Sequence, residues 1–144
     1  MFTSVSSRAV SAYRRIAAET GVQSASPHQL VGLLFDALLK SIDNGRGALE
    51  RQDVCAKGEA IGKAVRIIEE GLKAGLNLAE GGEVAANLHS LYSYCVARLT
   101  QANLRNDMAA LDEIRQLIEP IGQSWNSIKG TPAASRPGAM SLGG

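Results

Sequence analysis

From Pro27 to Pro120 the chain contains no internal proline, and over that span apolar residues return at steps of three and four. That spacing lines one face of a helix, whereas a half-buried strand would alternate. β-branched and aromatic residues are sparse and no stretch alternates for long, so the pattern predicts helices and little else. Four can be read between residues 26 and 129. The first opens at Ser26-Pro27-His28-Gln29, a capping box with proline at the first helical position, and carries the stripe Leu30, Leu34, Ala37, Leu38, Ile42 and Leu49. Asp53 caps the second, whose stripe is Ile61, Ala64, Val65, Ile68, Leu72 and Leu76, and Gly81-Gly82 is expected to stop it.

The third helix runs from Glu83 to about Asn103, with Leu88, Leu91, Tyr92, Cys95, Leu99 and Ala102 inward. A polar turn ending in Asn106-Asp107 leads to the fourth, with its repeat Leu111, Ile114, Ile118, Ile121, Trp125 and Ile128. Short links force neighbouring helices to run antiparallel. The expected fold is therefore all-α, an antiparallel up-down-up-down four-helix bundle over residues 26–129. Residues 1–25 can place Phe2, Val5, Ala9, Ala12, Tyr13 and Ile16 near one side of a helix, but their serines weaken it, so they read as a docking segment. Residues 130–144, rich in glycine and small side chains, read as a disordered tail.

Fifteen basic against fourteen acidic side chains leave a net charge of +1, without the basic excess of a nucleic-acid binder. No apolar run approaches the ~18 residues of a membrane span, and the first residues lack a secretory signal. Cys55 and Cys95 suit neither a disulfide framework nor a zinc site, which favours a reduced cytosolic protein with no cofactor. No phosphate loop, nucleophile elbow or Glu-x-x-His pair appears, so no catalytic or metal residue is predicted. His28 reads as solvent-exposed. His89 sits at the edge of the buried face of helix three, and a phosphotransfer bundle using it is the enzymatic alternative.

Two features bear on binding. Gly58, Gly62, Gly71 and Gly75 make helix two thin-walled, and Pro120 should kink helix four. Helix one carries Val31, Leu33, Phe35 and Leu39 beyond its stripe, more than the three apolar positions in seven that a bundle consumes. Such surplus marks an interaction face, a homodimer contact, or a surface covered by residues 1–25.

Ser24-Ala25-Ser26-Pro27-His28-Gln29-Leu30-Val31 with Leu34-Phe35-Asp36-Ala37 resembles the opening of the flagellin export chaperone family, FliS. The resemblance continues through Lys57, Glu59-Ala60-Ile61, Lys63-Ala64, Arg66-Ile67-Ile68, Gly81-Gly82-Glu83, Asn87-Leu88, Leu91-Tyr92, Tyr94, Arg98-Leu99, Ala102-Asn103-Leu104, Asn106-Asp107, Leu111-Asp112-Glu113 and Trp125. Ala12-Tyr13 fits the family's N-terminal pair. It implies a cytoplasmic chaperone that holds the disordered C-terminal segment of flagellin and presents it to a component of the flagellar type III export gate. It also implies that the N-terminal segment caps the groove when flagellin is absent. The expected partner-binding residues are Val5, Tyr13 and Ile16 in the cap, and Phe35, Ile68, Leu72, Leu91, Tyr92 and Leu117 along the groove.

Overall fold

The computed structural model describes residues 26–76 and 78–128, with backbone alone at 78 and 80. Among these residues all regular structure is helical. Helix α1, Pro27–Glu50, begins with the expected reciprocal cap: Ser26 Oγ accepts from the Gln29 amide at 3.1 Å, and Gln29 Oε1 accepts from the Ser26 amide at 2.8 Å. The chain then turns through Gln52, at φ 60°, to Asp53, whose carboxylate caps α2, Val54–Arg66. Helix α3, Leu78–Arg105, departs from helical geometry at Gly82 (φ 58°, ψ −135°), a left-handed φ that favours glycine. Asn106, at φ 54°, turns the chain into α4, Met108–Ser127, capped by Asp107.

Helix α2 does not continue as an α-helix to Gly81-Gly82. It passes into a π-helical segment, Ile67–Lys73, and ends in a turn at Ala74–Gly75. The reason is in the spacing of Ala64, Ile68 and Leu72. Each step of four overshoots a full α-helical turn by about 40°, and a wider turn with i→i+5 bonds absorbs that drift. Both Ile68 and Leu72 are thereby kept in the core. Helix α4 runs through Pro120 as one element. Pro120 and Gln116, whose carbonyl loses its donor, are both exposed, so water can take the place of the missing bond.

The helices form a bundle in which contacts join opposite ends of neighbours. His28 meets Trp125 and Arg46 meets Asp112 across α1 and α4, Lys57 meets Asn103 across α2 and α3, and Arg98 meets Glu113 across α3 and α4. Leu34, Leu38, Ile42, Ile61, Ile68, Leu99, Leu111, Ile114 and Ile118 fill the interior. Each such side chain contributes about 1.5–3 kcal/mol of burial.

The surplus apolar face expected on helix one is largely consumed by the fold. Phe35 is only 2% exposed and belongs to the core, while Val31, Leu33 and Leu39 are half-buried against it. Gly122 explains this: a Cβ there would lie 3.2 Å from the Cβ of Phe35, so α4 approaches closely enough to seal the ring. Among the described residues the exposed large apolar side chains are Val54, Val84, Tyr94 and Leu104, none on α1.

Burial pushes the Cys95 thiol up to about 11, with the charge of Glu113 adding to the effect, whereas Cys55 is exposed. Iodoacetamide should therefore label Cys55 in the native protein and Cys95 only after unfolding, as read by peptide mass spectrometry. Equal labelling of both in native buffer would contradict this packing.

Candidate functional site

At one end of the bundle a cleft of about 130 Å³ lies where α1 begins, the π segment ends, α3 begins and α4 ends. Val31 and Phe35 line it from α1, Gly71, Leu72, Gly75 and Leu76 from the π segment and the turn after it, Leu88 and Tyr92 from α3, and Ile121 and Trp125 from α4. The lining carries no carboxylate, amine, imidazole or thiol. Such a surface can desolvate apolar groups and can do little else.

The cleft is braced by a reciprocal contact across 97 residues of sequence. The Trp125 indole N–H donates to the His28 carbonyl at 2.9 Å, and His28 Nε2 lies 3.1 Å from the Trp125 carbonyl oxygen. The two rings stack with centroids 4.4 Å apart and planes 13° from parallel. His28 is thus half-buried in a tertiary contact and not the exposed residue expected. With its N–H satisfied, the indole can present its apolar body to the cleft.

Of the groove residues expected from sequence, Phe35, Leu72 and Tyr92 border the cleft, each mostly buried. Ile68, on the inward stripe, is fully buried in the core and lies outside the cleft lining. Leu91 and Leu117 pack half-buried on the core outside the cleft lining. Val5, Tyr13 and Ile16 lie outside the described residues, as do both terminal segments. Sequence reasoning missed Val31, Leu76, Leu88, Ile121 and Trp125 as lining residues. The signal was their position near helix ends, where the next layer of the bundle is missing and an inward side chain is left partly uncovered.

The opposite end is more polar, and an open pocket of about 250 Å³ there is lined by Ala48, Leu49, Gln52, Asp53, Val54, Lys57 and Asn106. Lys57 is buried at 6% exposure, and its ammonium donates to the Asn103 carbonyl at 2.8 Å and to Asn106 Oδ1. On the flank between α3 and α4, the Tyr94 hydroxyl donates to Glu113 at 2.5 Å and Arg98 Nε donates to it at 2.8 Å. These two donors hold the Glu113 carboxyl below the usual carboxylate range. Arg46–Asp112 and Arg115–Asp43 pairs, at 2.7 and 2.9 Å, fasten α1 to α4. Among the described residues no group of three His, Cys, Asp or Glu side chains could hold a metal, and no helix is long and apolar enough to cross a membrane.

A family model described as flagellar protein FliS matches residues 9–132. The flagellar secretion chaperone FliS of Salmonella typhimurium is 48% identical over 126 residues, covering 88% of this chain and 92% of the relative. The flagellar secretion chaperone FliSB of Pseudomonas aeruginosa is 40% identical over 121 residues, covering 84% and 95%. The FliS of Bacillus subtilis, with the same description, is 31% identical over 107 residues, covering 74% and 78%. With a model match over most of its length and relatives at this level, the chain belongs to the FliS family of flagellar chaperones.

Proposed function

We propose that this protein is an export chaperone of the bacterial cytosol that receives the disordered C-terminal segment of flagellin in the apolar cleft. Bound there, the segment would be kept from premature polymerisation until the complex reaches a component of the flagellar type III export gate. The observation that carries this reading is the cleft itself, lined mainly by aliphatic and aromatic side chains without a carboxylate, amine, imidazole or thiol, in a family of chaperones and not of enzymes. An amphipathic segment can bury its apolar face in such a groove, and the entropy lost on ordering keeps the complex releasable. A chaperone family leaves His89, half-buried on α3, no phosphotransfer duty.

Trp125 is the only tryptophan in the chain, so its fluorescence reports on the cleft directly. Titration with a peptide of the C-terminal segment of Salmonella typhimurium flagellin is expected to shift that emission and to saturate. Leu88→Asp places a carboxylate in the lining and should weaken binding about tenfold or more, measured below the lowered melting temperature that its half-buried position entails. Full affinity in this variant would move the client elsewhere on the surface.

We assign the capping role to residues 1–25, with Val5, Tyr13 and Ile16 as its apolar contacts. Two facts support this: the segment leads into Ser26, and His28, two residues on, stacks on cleft-lining Trp125. Deleting residues 1–18 should increase binding of an apolar dye, or self-association, in the absence of peptide. Unchanged dye binding and sedimentation would remove the cap from the mechanism.

A further inference from the structure

Three walls of the cleft are regular α-helix, with α1 and α4 stapled by the His28–Trp125 contact. The fourth is different. The π-helical segment Ile67–Lys73 and the turn after it supply Gly71, Leu72, Gly75 and Leu76, four of the ten lining residues. π turns are rare, occur mostly as single turns inside α-helices, and gather at functional sites.

We propose that this π turn is the adjustable wall of the client cleft, rewinding toward α-helix as a client enters so that Leu72 and Leu76 swing aside and the seat enlarges. The proposal rests on the client reading given above. Rewinding exchanges i→i+5 bonds for i→i+4 bonds, so few backbone hydrogen bonds are lost. The tighter pattern already begins at the exit, where the Gly71 carbonyl accepts from the Gly75 amide at 3.2 Å. Each step of four residues would then overshoot a full turn by about 40°, as in any α-helix, where the wider π turn does not, and that difference is enough to move a leucine off a wall. Gly71 makes the movement feasible against α1. A Cβ there would stand 2.9 Å from Leu34 Cδ1, so only a bare backbone can slide past that side chain. The Glu69–Lys73 pair, at 3.4 Å with i,i+4 spacing, suits an α-helical turn. A client that gains apolar contact only in the enlarged seat supplies the differential affinity that shifts the equilibrium.

The test is NMR measurement of couplings through hydrogen bonds, which identify the acceptor of each amide, on the full chain with and without the flagellin peptide. The expected result is that amides in the Ile67–Lys73 segment change acceptor from residue i−5 to i−4 when Leu88 and Trp125 resonances report occupancy. Occupancy with i−5 acceptors retained would overturn the proposal and leave the client reading standing. Leu88 and Trp125 resonances that never move would overturn the client reading, and this proposal with it. As a second arm, deleting Glu70 removes the surplus residue, so that the helix holds Leu72 and Leu76 where the free protein has them and keeps no spare residue with which to wind them aside. The deleted protein should keep its melting temperature and bind the peptide about tenfold more weakly. A folded deletion variant with unchanged affinity would also overturn the proposal.

Discussion

Phe35→Ala is expected to destabilise the protein by about 3–5 kcal/mol, the range for removing a buried phenylalanine. The ring is 2% exposed, with α4 closed over it at Gly122. Its edge borders the cleft, so the same substitution should weaken peptide binding. The two effects separate in a urea titration with and without peptide. A loss of stability below about 1 kcal/mol would mean that the ring is poorly integrated in the core and belongs mainly to the binding surface.

Lys57→Met carries the next largest effect. Methionine fills most of the same volume but leaves the Asn103 carbonyl and the Asn106 side chain without the donor they share. Asn106 is exposed and water can replace its bond, so the half-buried Asn103 carbonyl bears most of a cost of about 1–3 kcal/mol, and relief of the buried ammonium's desolvation offsets part of it. The net expectation is about 1 kcal/mol. Because Asn106 holds a left-handed turn, the damage should be local as well. Amide hydrogen exchange at residues 103–107 should accelerate more than elsewhere. Unaltered urea stability together with unaltered exchange would show that the turn stands without the lysine.

The helices and their caps were legible because they are local. Ser26-Pro27 with Gln29 and Asp53 each meet their partners within three residues, where the spacing put them, and of the Asn106-Asp107 turn it is Asp107 that caps the fourth helix. What the sequence did not disclose depends on partners far along the chain. The stack of His28 on Trp125 joins residues 97 apart, and no local pattern announces it. Phe35 looked like surplus because helix periodicity fixes a direction but not how closely the facing helix comes, and Gly122 on another element decides that. The π segment follows the steps of four from Ala64 to Leu72, a spacing that a plain α-helix also accommodates. The cleft was half visible: Leu72 and Tyr92 stood on the inward stripes, while the lining role of Leu88 and Trp125 follows only once the end of the bundle is located.

The His28–Trp125 contact also fixes where the described chain enters and leaves the bundle, both beside the cleft. A client sequence joined by a short flexible linker after Ile128 would meet the cleft as an internal ligand. Its local abundance would be in the millimolar range, whatever the dilution of the sample. Such a tethered pair would stay occupied at concentrations where two separate chains come apart, holding the loaded state steady for structure determination.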